Sequence, residues 1–191
     1  MPGERTMRLT EPEQMRALTH PLRLELLGLL RADGPATATV LADRTGVSTP
    51  LASYHLRRLA THGFIEEAPE LARDGRERVW RARHERTSWS TTEWLDTPER
   101  AAAEAAFGRT IVRRHLRAVE AWMDAAASWP RRWVDATEMS DWLLELTPAE
   151  MRELREELKA TVERYAARAP KRGAERVLAI VQVFPWVEDR T

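Results

Sequence analysis

Residues 36–65 read ATATVLADRTGVSTPLASYHLRRLATHGFI, and this stretch decides the fold of the N-terminal half of the chain. A first short helix is predicted over 37–44, with Val40 and Leu41 facing inward. Gly46 then suits a tight turn, because glycine reaches positive φ without a Cβ clash. Ser48 is a typical N-cap, and Pro50 falls in the first turn of the next helix, where its missing N–H costs little. The stretch therefore predicts two helices joined by a tight turn, a helix-turn-helix.

The second of these helices has one apolar face and one polar face. Ala52, Leu56 and Leu59 recur at i, i+4 and i+7 and predict the buried face. A polar arc lies opposite, formed by Thr49, Ser53, Tyr54, Arg57, Arg58 and Thr61. An exposed helix with this arc fits the major groove of double-stranded DNA. We expect Ser53, Tyr54 and Arg57 to read base edges and Arg58 to hold phosphate.

A hairpin follows. Two strand-like runs, 64–68 and 77–83, flank the sequence ARDGR, in which Asp74-Gly75 is a strong hairpin signal. A hairpin that follows the second helix, which we call the recognition helix, predicts a wing. Arg73, Arg76 and Arg78 fall at its tip and near shoulder, where guanidinium groups contact phosphates or enter a narrow minor groove. The alternative interpretation is that these arginines are solvated hairpin charges.

Composition limits the function classes. The 191 residues include 30 basic and 30 acidic residues, whereas residues 44–86 hold nine arginines against six acidic residues. This local positive charge favours a specific DNA binder over a protein that coats nucleic acid indiscriminately. Cysteine is absent, which excludes disulfides, thiolate metal sites and cysteine nucleophiles. Neither a signal-peptide core nor a membrane-spanning run is present, so we expect a cytoplasmic protein without membrane contact.

Three regions are predicted: a DNA-binding domain over 10–86, a linker over 87–97, and a dimerisation and effector-sensing region over 98–191. Helices over 11–18 and 21–31 complete the first core. A long helix from Pro98 to about Ser128 carries a broad apolar seam, and a second copy of the chain is the expected cover, giving a homodimer. The seam comprises Ala105, Val112, His115, Val119, Trp122 and Ala126, widened by Phe107, Ile111, Leu116 and Met123.

The last third predicts a small β-α-β element. Residues 140–146 alternate as a half-buried strand does, Thr147 to Glu150 form a capping box that opens a helix, and 177–184 read as a buried strand. The expected fold class is therefore α+β and mostly helical, a winged helix-turn-helix domain followed by a long helix and this element.

The runs ALTHPLRLELLGLL (17–30), LADRTGVS (41–48) and ASYHLRRLATHGFI (52–65) resemble the ArsR family of bacterial winged-helix transcriptional regulators. The similarity covers about residues 14–83. Members are typically homodimeric repressors that release operator DNA when an inducer binds. The resemblance implies that Ser53, Tyr54, His55 and Arg57 contact DNA, with Thr49 and Pro50 at the start of the same helix, and that the hairpin around Gly75 is the wing. An inverted-repeat operator follows from a two-fold dimer.

The sequence gives fewer indications of which effector the protein senses. Metal-sensing relatives use cysteines or paired Asp and His, whereas this chain has no cysteine and its five histidines include no i, i+4 pair. We therefore predict no metal and no cofactor. The tryptophans Trp89, Trp94, Trp122 and Trp142 are candidates for a pocket that binds an apolar or aromatic effector of unknown identity, and the alternative is that they fill a dimer core.

Two other function classes compete with a DNA-binding regulator. An enzyme is disfavoured, because the sequence has no glycine-rich phosphate loop and no nucleophile signature. A winged helix used only for protein contacts is the alternative. Such a module would more often have an apolar outer face on its second helix than a polar face bearing arginines.

Overall fold

The computed structural model describes residues 6–72 and 77–188. The chain divides into two units, residues 1–121 and 122–191. The first unit contains β1 (Thr6–Arg8), α1 (Pro12–Leu18), α2 (Pro21–Asp33), β2 (Ala36–Thr37), α3 (Ala38–Thr45), α4 (Thr49–Thr61), β3 (Ile65–Glu67), β4 (Val79–Ala82), β5 (Arg86–Ser88) and α5 (Thr91–Trp94). A long helix, α6 (Pro98–Ala125), begins in this unit, and α7 (Arg131–Val134) and α8 (Pro148–Ala166) belong to the second.

Helices α1 to α4 enclose the core of the first unit, as the sequence predicts. The leucines of α2 face inward, with Leu26 and Leu27 almost fully buried. Leu56 and Leu59 of α4 and Phe64 after it are 0% exposed and pack into the same cluster. These large apolar side chains supply most of the favourable free energy of burial, so the orientation of α4 is set by the core beneath it.

The predicted wing strands are present. In the sheet order β2-β4-β3, β4 pairs antiparallel with both neighbours, and Ile65 lies opposite Ala82. Val79 and Trp80 turn inward and are buried. The sheet therefore anchors the wing to the same core that holds α4.

The predicted linker over 87–97 belongs instead to the first unit. Strand β5 pairs in parallel with β1, with Thr6 opposite Arg86, and the side chain of Trp94 is 1% exposed within the core. Ala103 and Phe107 of α6 join the same cluster. The compact units of the structure thus divide near residue 121, whereas the sequence predicts boundaries at residues 86 and 98. The strand pairing joins residues 80 positions apart, which local patterns do not reveal.

Helix α6 begins at Pro98, as predicted, and a 3₁₀ turn over Ala126–Ser128 follows it. Ala103, Phe107 and Thr110 are buried on one face, where the Thr110 hydroxyl donates to the carbonyl of Thr19 at 3.1 Å. Val112 and Leu116, which lie around the opposite side, are 54% and 55% exposed. The broad seam read from the sequence therefore divides into a face that packs on the chain's own core and an apolar stripe that stays exposed.

The second unit contains the predicted helix but not the predicted strands. The capping box of α8 forms, since the amide of Glu150 donates to the Thr147 hydroxyl at 3.3 Å and Glu150 accepts from the Thr147 amide at 2.8 Å. Within the described residues, 140–146 and 177–184 pair with no strand, so the β-α-β element is corrected to a single helix between extended segments. Alternation or apolarity alone does not make a strand, because each strand requires a hydrogen-bonded neighbour.

Among the described residues, no helix combines the length and apolarity needed to cross a bilayer.

Candidate nucleic-acid interface

Helices α3 and α4 meet through the turn that the sequence predicts. Gly46 takes the left-handed conformation at φ 68°, and the amide of Val47 donates to the carbonyl of Ala42 at 3.1 Å. Ser48 then caps α4, its hydroxyl accepting from the amide of Leu51 at 3.4 Å. A side chain at position 46 would be strained at this φ, so the angle between α3 and α4 depends on this glycine. One detail differs from the prediction: Val40 is 48% exposed, because Leu41 and Ala42 take the inward positions.

The outer arc of α4 is exposed. Tyr54 is 51% exposed, and Pro50, Arg57 and Arg58 also reach solvent. Thr49 and Ser53 are half-buried beside them. The structure thus brings together on one helix face six of the residues that the sequence predicts to contact DNA.

His55 is the exception on α4. Its side chain is 4% exposed, and its ring lies 4.2 Å from that of His20, centroid to centroid. A direct contact with DNA is therefore withdrawn for His55. The buried face of α4 is Ala52, His55, Leu56 and Leu59, the full i, i+3, i+4, i+7 pattern. That spacing is the signal in the sequence that would have placed His55 inward.

The described arginines of the wing form ion pairs with carboxylates of the same domain. Arg78 lies 3.1 Å from Glu67 and over the ring of Trp80 at 5.8 Å. Arg81 binds Glu66 at 2.8 Å and also Glu70, and these contacts raise the pKa of Arg81. Of the predicted wing contacts, Arg73, Gly75 and Arg76 lie outside the described residues.

The arginines of α4 differ from those of the wing in having no carboxylate ion-pair partner among the described residues. Within residues 6–72 and 77–188, no carboxylate lies within ion-pair distance of Arg57 or Arg58. A third cation stands nearby, since Arg23 of α2 has its pKa lowered by burial and then by the charge of Arg58. The sequence analysis does not assign Arg23 to this surface. The arc therefore offers positive charge without internal neutralisation.

The four candidate pocket tryptophans have different environments. In the first unit Trp94 is buried in the core, and Trp89 packs edge-on against Phe107 at 5.1 Å. In the second unit Trp142 is 75% exposed, and Trp122 contacts Trp129 edge-on at 5.7 Å. Trp94 is unavailable to a ligand unless the core opens, so it is removed from the pocket prediction.

The family comparison decides the class of this domain. A family model described as a helix-turn-helix domain matches residues 18–68, which span α2 to β3. The N-terminal unit is a winged helix-turn-helix domain. The resemblance predicted from the sequence is thereby confirmed for the motif and the fold. A search of curated protein sequences found no significant match.

Three solved structures illustrate how distant the similar proteins are. The homodimeric winged helix-turn-helix DNA-binding domain Mb0332 from Mycobacterium bovis, described as a possible ArsR-family transcriptional regulator, is 23% identical over 54% of this chain and 76% of its own, with a TM-score of 0.34. ZitR from Lactococcus lactis is 15% identical over 78% and 85% of the two chains, with a TM-score of 0.32. The transcriptional regulator Tm0710 from Thermotoga maritima is 17% identical over 78% and 80%, with a TM-score of 0.31. These likenesses are distant, and the assignment of the domain rests on the family model.

Proposed function

We propose that this chain is a sequence-specific DNA-binding transcriptional regulator, with α4 in the major groove. One observation carries the proposal: the exposed arc of α4 bears Arg57 and Arg58 without carboxylate partners in the described structure, whereas Arg78, Arg81 and Arg83 of the wing are ion-paired. Ser53, Tyr54 and Arg57 would read bases, since side chains near the start and middle of a recognition helix reach base edges. Thr49, Pro50 and Arg58 lie at the flanks, where phosphates would be.

Replacing Arg57 with alanine should reduce affinity for the operator by a factor of roughly 5 to 150, the equivalent of about 1–3 kcal/mol for a lost base contact. The loss on unrelated duplex DNA should be smaller, because unrelated DNA offers phosphates but not the matching base. The measurement is fluorescence anisotropy with a duplex selected from a random pool and with an unrelated duplex.

Arg81→Ala is the matched control for this experiment. It removes the same charge from the same domain, but Arg81 is already held by Glu66 and Glu70. We expect its operator affinity to stay within about threefold of the unmodified protein. Equal losses for Arg57→Ala on operator and unrelated DNA would remove the base-reading role from Arg57.

The finer proposal is a homodimeric repressor of the ArsR type that binds an inverted repeat. Val112, Leu116 and Val119 continue along α6 at i, i+4 and i+7, and the first two are more than half exposed. A second copy of the chain would cover this stripe symmetrically. Two recognition helices would then lie about 34 Å apart, on half-sites separated by roughly 10 base pairs.

A protein-interaction module without DNA binding is the second candidate. The exposure of Val40 and Leu51, 48% and 43% respectively, favours it, because both are apolar and lie beside the recognition face. The absence of any selected duplex from the random pool, together with no measurable DNA affinity, would favour this candidate over the regulator.

The effector that we propose is a small molecule rather than a metal ion. The sequence has no cysteine, and in the described ranges no group of three or more His, Asp and Glu side chains is arranged so that it could hold a metal ion. Of the predicted pocket residues, Trp122 retains an accessible aromatic surface, in a row with Trp129 and Trp133. An apolar or aromatic compound is the chemistry that this row would bind.

Addition of zinc, nickel, copper or cobalt should leave operator affinity within about twofold at roughly 10 µM metal, because no preorganised set of ligands is available. Anisotropy titrations and tryptophan fluorescence provide the two measurements. Stoichiometric binding of one of these metals with release of the operator would refute the non-metal proposal while leaving the DNA-binding proposal intact.

A further inference from the structure

A pair of histidines joins α2 to the recognition helix. His20 is the N-cap of α2, where its Nδ1 accepts from the amide of Leu22 at 3.2 Å. The ring of His55 lies against it at 4.2 Å with an interplanar angle of 38°. The Nδ1 of His55 is buried and finds no hydrogen-bond partner among the described residues. This contact supports α4 from below, on the side away from the proposed DNA surface.

Both rings are placed as neutral imidazoles. A nitrogen that accepts a hydrogen bond must be unprotonated, so a proton on Nδ1 of His20 would remove the acceptor that caps α2. A proton on Nδ1 of His55 would be buried without an acceptor, which is costly because the charge loses its hydration. Protonation of either ring therefore works against the closed contact.

The charged groups that act on the pair are cationic. Burial, followed by the charge of Arg23, lowers the pKa of His20. Burial, followed by His20 and Arg23, lowers the pKa of His55. From α4 itself, Tyr54 packs edge-on at 5.0 Å, and Arg58 adds positive charge that, after burial, lowers the pKa of the adjacent His62. The carboxylate of Glu13 has the opposite effect, since its charge works to raise the pKa of His62.

We propose that the His20–His55 contact makes operator binding acid-sensitive: protonation of the two rings separates α2 from α4, displaces the recognition helix and releases DNA. This inference rests on the proposed function, since operator affinity is the quantity that changes.

The direction of the pH effect follows from proton linkage. Burial and, after it, the charge of Arg23 hold the pKa of each histidine below the 6.5 of an unperturbed imidazole. The closed arrangement, in which both rings are buried, therefore binds fewer protons than an opened one. Operator affinity is highest above pH 6.5, where both rings are neutral in either arrangement. It declines as the pH falls from 6.5 towards the lowered pKa values and then levels off.

The test measures operator affinity of the full chain from about pH 7.5 to about pH 5.5 at constant ionic strength. His20→Asn keeps a side-chain acceptor at the N-cap without a group that titrates, and His55→Leu fills the buried site with an apolar side chain. The operator affinity of the unmodified protein should fall by about tenfold over this range, because protons then favour the opened arrangement. The double variant should change by less than about threefold, because the pair that titrates is gone.

The outcomes separate the inference from the function on which it rests. Tight binding by the unmodified protein with no pH dependence overturns the inference, as does equal pH dependence in the double variant. If no duplex is bound at the higher pH, the proposed function fails instead. If circular dichroism shows that His55→Leu does not fold, His20→Asn alone decides the question. The change in the logarithm of its operator affinity with pH should be about half that of the unmodified protein, because one of two titrating rings remains. An unchanged pH dependence overturns the inference.

Discussion

Replacing Trp94 with alanine should lower the free energy of unfolding of the N-terminal unit by about 3–5 kcal/mol, the usual cost of truncating a buried tryptophan. The indole is 1% exposed, packs in the cluster that contains Leu9 and Phe107, and has the guanidinium of Arg100 over its ring at 5.7 Å. Since small domains are stable by about 5–15 kcal/mol, this single change would remove a large fraction of the total. Urea unfolding followed by circular dichroism gives the measurement.

Trp142→Ala is the matched control, because it removes the same side chain from a position that is 75% exposed. Its effect on the free energy of unfolding should lie within about 0.5 kcal/mol. A loss below about 1 kcal/mol for Trp94→Ala would show that residues 87–97 are the linker that the sequence predicts, and that the core closes without them.

The helix-turn-helix could be predicted from the sequence because its signals are local. Thr37 and Ser48 cap their helices, Gly46 turns the chain, and Leu56 and Leu59 mark a buried face, all within 30 residues. Each of these signals acts between near neighbours in the chain. The helix bounds in the structure accordingly agree with the predicted ones to within about two residues.

The remaining features depend on distant residues. Trp94 is buried because β1 and β5 pair across the whole domain, and His55 is buried against His20, which belongs to another helix. Residues 140–146 have the alternation of a strand but no neighbouring strand in the described structure. Periodicity gives the face that a residue occupies, whereas the partner on that face comes from the tertiary structure.

If the chain is the proposed homodimer, introducing a charge into the stripe on α6 should weaken operator binding by a factor of roughly 10² to 10⁴ without touching the DNA surface, because two linked half-site contacts would become one. Leu116→Asp is the suitable change. The side chain is 55% exposed, so the folded chain should tolerate aspartate at that position. Light scattering should show the monomer mass at micromolar concentration, and anisotropy should show the loss of affinity.

Leu95→Asp provides the control for this experiment. Leu95 is 62% exposed in the same unit but belongs to the C-terminal end of α5 rather than to the stripe on α6. The same leucine-to-aspartate change there should leave both the mass and the operator affinity unaltered. Loss of affinity in Leu95→Asp as well would show that added negative charge, rather than loss of the dimer, weakens DNA binding.

The charges beside the stripe specify how two copies would pair. Arg113 follows Val112 and Glu120 follows Val119, so both charges lie on the same flank, and neither makes an ion pair with another described residue. If two copies of α6 cross antiparallel near residue 117, Arg113 of each copy lies beside Glu120 of the other, and flanking pairs of this kind set helix orientation. Arg113→Glu should therefore weaken the dimer, and adding Glu120→Arg should restore both mass and affinity. In a parallel pairing this flank of one copy would lie on the opposite side from the same flank of the other, so Arg113 would not face Glu120. Arg113→Glu would then leave the dimer mass unchanged, which would contradict the antiparallel arrangement.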